Sequence, residues 1–395
     1  MSTERHVYIA GASRTAIGSF GGALLDCSPV LLGSVAGQAA LERSGLPANA
    51  VDEVIMGNVL GAGHGMNIAR QVAIKAGLPA HVPAYTVNKV CGSGLKAVTL
   101  AAAAIGSGEA SVILAGGTES MSQSAFVARN VRWGQRMGNT ELLDLMLSDG
   151  LTDAFGGCHM GITAENLAEK YGIARSVQDQ FAFASQERAQ AAIAAGHFKA
   201  EISAVPLFKR GVQSGSFEID EYPRKGVTLD SLGSLKPAFK KDGTVTAGNA
   251  SGINDGAAAL LLSANPPKGG SGVPIAKILG WASAGVEPGL MGIGPVPAVK
   301  KLLQQTGVAL SAIDLIEANE AFAVQALAVS KELELDPSRV NVCGGAIALG
   351  HPIGASGARI LVTLLYQLQR LKKSLGLATL CVGGGQGIAV LIEQL

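Results

Sequence analysis

The second half of this chain repeats the order of structural signals found in the first half. An apolar helical run ends at Gly45, and the strand pattern after it begins near Asp52. A second such run ends at Gly307, and its strand begins near Asp314. The two glycines lie 262 positions apart, and so do the two aspartates. Because a glycine after the last periodic residue commonly ends a helix, both segments predict the same helix–turn–strand unit.

The repeat continues into a helix that begins with glycine and a further strand. Gly94 and Gly357, 263 positions apart, each precede a helical run. The strand ending at Ala115 matches the strand ending at Cys381 at an offset of 266. Chance similarity between short α/β pieces is the alternative, and the nearly constant offset argues against it. The sequence therefore predicts a domain duplication in which strands and helices alternate in a parallel, layered sheet.

Turn and cap signals predict several local boundaries. Residues 7–10 have a strand pattern and residues 11–15 read as a loop, and the strand at 111–115 is expected to stop at Gly116. Residues 176–195 have helical character, with Ser176 as the N-cap and Asp179 three residues later.

The region 119–249 has no counterpart in the repeat. It carries many basic residues, including Arg129, Lys209 and Arg224, and it precedes the last strand of the first half, 257–263. Long insertions at strand ends usually carry binding function. The predicted domains are residues 1–118 together with 250–272, the inserted loop domain 119–249, and residues 273–395.

The overall charge of the chain gives no indication of nucleic-acid binding. The net charge is +1 and charged residues make up only 15% of the chain, so no global field favours nucleic acid. An anionic substrate must then be met by local basic residues or by helix ends.

The glycine patterns lack G-x-G-x-x-G spacing in a βαβ setting, which excludes a dinucleotide site.

The cysteines indicate a reducing compartment. They are odd in number and show no C-x-x-C spacing, which argues against a zinc site or a disulfide framework: Cys27, Cys91, Cys158, Cys343 and Cys381. Apolar runs such as 97–105 are too short to span a bilayer, and the first residues show no signal-peptide core. We therefore expect a soluble, cytoplasmic protein with no membrane partner.

One cysteine lies in a glycine-rich turn between a strand and a helix. Cys91 follows the strand pattern 84–87, and Gly92 and Gly94 allow a sharp turn and a close approach of the backbone to a ligand. The positive end of the following helix favours thiolate, which is the nucleophilic form. A buried cysteine in a tight corner is the structural alternative.

Three more stretches carry candidate chemical groups. His351 lies in a glycine-rich loop at the position that the repeat assigns to the Cys91 turn, so packing of the two halves brings both to one crevice. Cys381 ends a strand before three glycines, whose N–H groups can hold an oxyanion. Asn319 follows the repeated strand, and its amide can hold a water molecule. Purely structural roles are the alternatives for His351 and Cys381.

Together these stretches resemble the four active-site motifs of the thiolases. The motifs are Cys-Gly-Ser-Gly at 91–94, Asn-Glu-Ala-Phe at 319–322, Gly-His-Pro-Ile-Gly at 350–354 and Cys-Val-Gly-Gly-Gly at 381–385. The likeness spans essentially the whole chain and is greatest to the biosynthetic, short-chain acetyl-CoA C-acetyltransferases. It implies a duplicated five-layer α/β/α/β/α fold with an inserted loop domain.

The resemblance implies a role for each motif residue. Cys91 would carry an acetyl group, His351 would take its proton, and Cys381 would remove a proton from the methyl group of a second acetyl-CoA. Asn319 would hold a water in the first oxyanion hole, and the N–H groups of Cys91 and Gly383 would form the second. The implied reaction is the reversible Claisen condensation of two acetyl-CoA molecules to acetoacetyl-CoA and CoA.

The coenzyme A contacts of the family map onto a further set of residues. These are His159, Met160, Arg224, Ser231, Leu235, Ala247, Gly248, Ser251, Met291, Ala321 and Phe322. The resemblance also implies a homotetramer whose small-molecule partners are acetyl-CoA, acetoacetyl-CoA and CoA. It implies no metal and no cofactor, because the coenzyme A thioesters are substrates.

The sequence departs from the family pattern in three places. Cys343 replaces a usual asparagine, Cys158 replaces an aromatic residue before His159, and residues 63–67 differ from the usual Gly-Gln-Asn. These changes leave chain-length preference open, so a degradative 3-oxoacyl-CoA thiolase is the alternative within the family. A non-catalytic acyl-CoA-binding protein is the alternative outside enzymes, and the intact set of motif residues argues against it.

Overall fold

Two similar halves share one continuous sheet in the structure, a computed structural model that describes residues 6–266 and 275–395. The strands, in chain order, are β1 (Val7–Thr15), β2 (Gly18–Ser19), β3 (Glu53–Gly57), β4 (Ala84–Val87), β5 (Val112–Ser120), β6 (Phe126–Val127), β7 (Leu143–Asp144), β8 (Ile202–Ser203), β9 (Val205–Lys209), β10 (Val212–Phe217), β11 (Asn254–Ser263), β12 (Ala276–Gly285), β13 (Leu315–Ala318), β14 (Leu375–Val382) and β15 (Gln386–Gln394). Residues 1–5, with which the first predicted domain begins, and the predicted domain boundary at 272–273 lie outside the described residues.

The α-helices flank this sheet or lie in the region between β5 and β11. They are α1 (Pro29–Ser44), α2 (Ile68–Lys75), α3 (Ser93–Ser107), α4 (Met160–Tyr171), α5 (Arg175–Ala194), α6 (Leu229–Gly233), α7 (Pro295–Thr306), α8 (Ala323–Leu333), α9 (Ala346–Leu349) and α10 (Ser356–Leu371).

The sheet is mixed rather than parallel. Its order is β13-β14-β15-β12-β1-β11-β5-β3-β4, and β1 pairs antiparallel with β12 where the two halves meet. The outer strands pair in parallel, β4 with β3 with β5 in one half and β13 with β14 in the other. β11 and β15 run antiparallel to β5 and β14. The prediction of a parallel sheet is therefore wrong for the central strands, because β11 reverses direction beside β5 and β15 reverses direction beside β14.

Five layers form because the two halves enclose a pair of central helices. α3 and α10 contact each other and strands of both halves, and one core joins Val98 and Leu361 of these helices to Ile113 and Val390 of the sheet. α1 and α2 cover the outer face of the first half, and α7 and α8 cover the outer face of the second. The predicted duplicated α/β/α/β/α architecture is confirmed.

The packing of α3 explains an apolar segment. By length and composition, Val90–Ser107 could cross a membrane, which corrects the expectation that the longest apolar runs are too short. In the structure 56% of this segment is buried, and α3 lies in the middle layer between strands of both halves. A helix with apolar residues all round is what such a layer requires.

Matching hydrogen bonds identify the duplication. The Asp52 carboxylate accepts from the N–H of Ser111 at 2.7 Å and of Val112 at 2.9 Å. The Asp314 carboxylate accepts in the same way from the N–H groups of residues 374 and 375, at 3.0 and 2.9 Å. These hydrogen bonds set the offset between β5 and its counterpart β14 at 263 instead of the predicted 266. Ala115 therefore corresponds to residue 378 and not to Cys381.

The two central helices begin beside each other and require glycine at equivalent positions. A Cβ on Gly94 would lie 2.8 Å from the backbone nitrogen of Ala358, and one on Gly357 would lie 2.5 Å from that of Leu95. This close approach joins the Cys91 turn to the loop that contains His351.

Three local predictions are corrected by tertiary context. β1 continues through residues 11–15, because Gly11 and the residues after it pair with β11. β5 continues past Gly116 to Ser120, since both of its glycines stay in register with β11. Helix α5 begins at Arg175 with Ala174 at its N-cap, so Ser176 does not cap it.

The long segment between β5 and β11 lies mostly outside the sheet, although its short strand β8 pairs in parallel with β1. β5 and β11 are paired neighbours, so everything between them is inserted into one antiparallel connection. The insertion holds the strand pairs β6–β7 and β9–β10 and the helices α4, α5 and α6. α4 and α5 pack against α8, which joins the insertion to the second half of the chain.

Candidate active site

Cys91 lies in a strained turn between β4 and α3. Ser93 Oγ accepts from the N–H of Lys89 at 2.8 Å and donates to the carbonyl of Val90 at 2.6 Å. The side chain of Asn88 accepts from the N–H of Val90 at 2.9 Å. Val90 has φ +48°, a conformation that costs a β-branched residue ~1–3 kcal/mol. These bonds hold the cysteine two residues before the first residue of α3.

The hydrogen bonds of His351 fix its tautomer. Its Nδ1 lies 2.6 Å from Ser356 Oγ, and that hydroxyl donates its single hydrogen to the carbonyl of Pro352 at 2.8 Å. Ser356 can therefore only accept from the imidazole, which places the hydrogen on Nδ1. The Nε2 atom is buried and has no partner among the described residues, so its lone pair is free to accept a proton.

Backbone contacts hold the His351 loop against the first half of the chain. The N–H of His351 donates to Asn254 Oδ1 at 2.9 Å, and Asn254 Nδ2 donates to the carbonyl of Gly18 at 3.0 Å.

Burial, and then the charge of Arg359, lower the pKa of His351 to about 3. The imidazole is neutral at pH 7 and can act as a base.

The thiol of Cys91 is protonated at neutral pH, contrary to the sequence prediction. The N–H groups of Gly383 and of Cys91 itself lower its pKa, but burial outweighs them and raises the pKa to about 11, with a small contribution from Glu119. Loss of water disfavours the charged thiolate more than the two N–H groups favour it. Cys91 and His351 therefore rest as an uncharged thiol and imidazole, and the cysteine needs a base when it attacks.

Cys381 lies in β14 behind the wall of the site. It is fully buried and packs in one apolar cluster with Met160, Met291, Ala321 and Phe322. Burial, and then the proximity of Cys91, raise the pKa of the Cys381 thiol. Such a thiol is a weak acid, and its thiolate is a correspondingly strong base.

Asn319 follows β13 and presents an unsatisfied amide. The residue is 2% exposed, and neither Oδ1 nor Nδ2 has a hydrogen-bond partner among the described residues. Its N–H donates to the carbonyl of Thr379 at 3.0 Å, which ties it to β14. Because buried amides are nearly always paired, this side chain is suited to hold a ligand or a water molecule.

Cys91 and His351 line the same cavity, whose volume is about 480 Å³. The wall of this cavity also contains eight of the predicted coenzyme A positions: His159, Met160, Arg224, Ala247, Ser251, Met291, Ala321 and Phe322. The volume is that of a small-molecule site. The structure thus brings the predicted nucleophile, the predicted base and most predicted binding residues to one place.

The other predicted residues lie outside the lining of the described cavity. Cys381, Asn319 and Gly383 are buried behind it. Leu235 packs on Gly248, where a Cβ would lie 2.6 Å from the leucine side chain. Ser231 is exposed in α6, where it forms a capping box with Thr228.

Several residues of the site have no signal in the sequence. Phe239 lines the cavity and stacks on His159 with ring centroids 4.6 Å apart, and it contacts Phe322 edge-on at 6.2 Å. Tyr222 lies under the Arg224 guanidinium, 5.4 Å from the ring centroid. Both aromatics belong to irregular segments of the insertion, where periodicity predicts nothing. Ser356 is part of a helix start and could be assigned only from the contact with His351.

The three departures from the family pattern lie outside the lining of the cavity. Cys343 is buried, with Sγ 3.9 Å from His197 Nδ1 and 3.8 Å from Arg370, and burial raises its pKa to about 12. Cys158 is half-buried, and its carbonyl accepts from the N–H of Asp153 at 2.8 Å. In the segment 63–67, Met66 is 91% exposed.

Comparison with known proteins covers both halves. The model of the thiolase N-terminal domain matches residues 7–265, and the model of the thiolase C-terminal domain matches residues 273–394. The chain is 57% identical to the acetyl-CoA acetyltransferase of Pseudomonas aeruginosa over 98% of its length and 99% of the relative. It is 56% identical to that of Escherichia coli K12 over 99% of its length and 100% of the relative.

Solved structures show the same fold. The crystal structure of the Bacillus anthracis acetyl-CoA acetyltransferase superposes with a TM-score of 0.96 at 44% sequence identity and covers 100% of both chains. The acetyl-CoA acetyltransferase from Syntrophomonas wolfei superposes with a TM-score of 0.95 at 39% identity.

Proposed function

The chain belongs to the thiolase family, and we propose that it is an acetyl-CoA acetyltransferase that reversibly condenses two acetyl-CoA molecules to acetoacetyl-CoA and CoA. The observation that carries this proposal is one cavity lined by Cys91, by the free Nε2 side of His351 and by the predicted coenzyme A positions. The names of the full-length relatives support it.

In the first half-reaction Cys91 attacks the thioester carbonyl of acetyl-CoA. His351 Nε2 takes the thiol proton as the new S–C bond forms, because both groups are uncharged at rest. The N–H groups of Cys91 and Gly383 lie near the sulfur and can stabilise the oxyanion. The bond to coenzyme A then breaks, and the departing CoA thiolate takes the proton of Cys381.

In the second half-reaction the Cys381 thiolate removes a proton from the methyl group of a second acetyl-CoA. Its high pKa suits a weakly acidic C–H. The carbanion attacks the acetyl group on Cys91, and Cys91 leaves as a thiolate that recovers its proton from His351. The unpaired amide of Asn319 supports its role as the holder of a water that, with His351, stabilises the thioester enolate.

We expect a preference for short chains. Met160, Met291 and Phe322 line the cavity and pack in the apolar cluster that holds Cys381, which leaves little room beside the reacting carbon. The purified protein should cleave acetoacetyl-CoA with a higher kcat/KM than it cleaves longer 3-oxoacyl-CoA thioesters. A higher value for the longer chains would favour the degradative thiolase, and binding without any turnover would favour the non-catalytic alternative.

Arg224 is expected to contribute to substrate binding rather than to chemistry. It is exposed, lines the cavity and has Nη2 3.2 Å from the hydroxyl of Tyr222. Arg224→Ala should raise KM for acetyl-CoA with kcat nearly unchanged, because it removes binding common to the ground and transition states. The difference from wild type should shrink at high salt. Lys209→Ala, an exposed cation of β9 outside the cavity lining, should leave KM unchanged, and a fall in kcat alone for the Arg224 variant would contradict this role.

We also propose a homotetramer in the cytoplasm. Large apolar side chains stand exposed on the insertion, with Trp133 89% and Met137 90% exposed, which supports burial against a second copy. All five cysteines are free, which suits a reducing compartment. Sedimentation should give the mass of four chains, and the mass of a single chain would contradict the assembly.

A further inference from the structure

A buried carboxylate joins two loops of the active site. Glu119 of β5 is fully buried. Its Oε1 accepts from Asn58 Nδ2 at 2.9 Å and from the N–H of Leu60 at 3.1 Å. Its Oε2 accepts from the N–H of Val59 at 3.1 Å and from the N–H of Gly354 at 2.8 Å. Four donors from two separate loops therefore meet on one side chain.

All of these partners are uncharged, which distinguishes Glu119 from the buried charge pairs of the fold. None of the ion pairs among residues 6–266 and 275–395 includes it. A buried carboxylate without a cation is costly for the fold, and its four N–H bonds are what offset that cost.

Both loops border the reacting groups. The first follows β3, and its Leu60 packs with Ile353 and Met121, with Cys91 against the same cluster. The second runs from His351 to the start of α10, and Gly354 is three residues from the imidazole. The loop lies so close that a Cβ on Gly354 would be 2.5 Å from Glu119 Oε2. Glu119 thus links the wall beside Cys91 directly to the loop that carries His351.

We propose that Glu119 is a positioning residue for the acetyl transfer, which holds the His351 loop in register with Cys91 by accepting N–H groups from both sides. This inference rests on the proposed function, because it assigns a task to the same cavity. Only the ionised carboxylate can accept all four hydrogen bonds; a protonated carboxyl turns one oxygen into a donor that faces other donors.

The surroundings of Glu119 make its ionisation relevant near neutral pH. Burial raises the pKa of Glu119 to about 7, its N–H donors oppose that rise, and Asp255 of β11 adds to it. The other ionisable group that faces it is the Cys91 thiol, whose pKa it raises. Since the ionised form is the one that positions the loop, activity should fall as the pH drops below 7. The contribution of Glu119 to the stability of the fold runs in the opposite direction. Because its pKa is raised from 4.5 to about 7, this contribution is present at acid pH and is lost as the pH rises through about 7.

The experiment compares two buried carboxylates that hold backbone N–H groups of different loops. Glu119→Gln should lower kcat by ~10- to 100-fold with KM for acetyl-CoA little changed, because misplacing a catalytic group affects the chemical step. Glu165, which accepts from the N–H groups of Thr244 and Val245 at 2.8 Å, holds the loop before Ala247 instead. Glu165→Gln should therefore raise KM and spare kcat.

A second variant tests the same contact without changing the carboxylate. Gly354→Ala should push the loop away from Glu119 and from the backbone of Asn58, whose Cα lies 3.0 Å from the added Cβ, and lower kcat in the same manner with the protein still folded. The loss of activity expected for wild type between pH 8 and pH 6 should be absent from Glu119→Gln, which cannot titrate. Asp255 has a pKa raised to about 6 and remains in both proteins, so the difference between the profiles belongs to Glu119.

The outcomes separate this inference from the proposed function. If wild type turns over and folded Glu119→Gln or Gly354→Ala keeps its kcat, or loses only affinity, the positioning role is wrong. An unchanged pH profile in Glu119→Gln would also overturn it. If wild type itself fails to exchange acetyl groups with CoA, the proposed function fails before the question of Glu119 arises.

Discussion

Replacing His351 with asparagine is expected to lower acetyl exchange and condensation together by ~100-fold or more, the usual effect of losing a general base. Asparagine can still donate a hydrogen bond to Ser356, so the loop keeps that contact, but it has no basic nitrogen at the position of Nε2. Both half-reactions should suffer, because Cys91 is a thiol at neutral pH and cannot attack unless its proton is taken.

The rates of both half-reactions are measured on folded protein, with His197→Asn as the control. His197 contacts Cys343 and lies outside the cavity lining, so its variant should keep wild-type rates. Ser356→Ala should give a smaller loss of the same kind, since Nδ1 then has no fixed acceptor and the tautomer is no longer set. Wild-type exchange in folded His351→Asn would remove His351 from the mechanism and leave it a structural residue of its loop.

Replacing Cys381 with serine is expected to separate the two half-reactions. Condensation should fall by ~100-fold or more, because a serine hydroxyl cannot supply the base that removes the methyl proton. Exchange of acetyl groups with CoA should fall far less, because Cys91 can still be acylated in the same cavity. The measured quantity is the ratio of condensation to exchange, which does not depend on the fraction of folded protein.

Cys343→Ser is the matched control for this ratio. Cys343 is also buried, at 1% exposure, but it packs against His197 and Arg370 away from the cavity lining. Its substitution places the same hydroxyl in the interior and should leave the ratio unchanged. If the Cys381 variant also keeps the wild-type ratio, Cys381 has no part in proton transfer.

The duplication and the motifs could be predicted because their signals are local. Gly45 and Gly307 adopt the left-handed conformation at the ends of α1 and α7, with φ of 70° and 68°, which glycine adopts without steric cost. The turn at Cys91 and the loop at His351 depend on glycines that allow close approach, which the sequence states directly. These positions could therefore be recognised from residue type and spacing.

Features that depend on burial or on distant residues could not be predicted in this way. The sequence places Cys91 before a helix and predicts a thiolate, but the apolar walls that raise its pKa come from several distant segments. β5 continues through Gly116 and Gly117, although glycines usually interrupt a strand, because β3 and β11 pair with it on both sides. Glu119 belongs to that strand, and its partners Asn58 and Gly354 lie 61 and 235 residues away.

The most direct test of the proposed chemistry is the position of a covalent acetyl group. The protein is mixed briefly with acetyl-CoA, quenched in acid, digested with trypsin and analysed by mass spectrometry. Cleavage after lysine and arginine places every cysteine on a separate peptide, with Cys91 alone on residues 90–96, Cys343 on 340–359 and Cys381 on 374–395. Cys381→Ser, in which the acetyl-enzyme cannot go on to condense, should accumulate more of the label than wild type. We expect one acetyl group on the peptide 90–96; an acetyl group on Cys381 or Cys343 with none on Cys91 would contradict the mechanism.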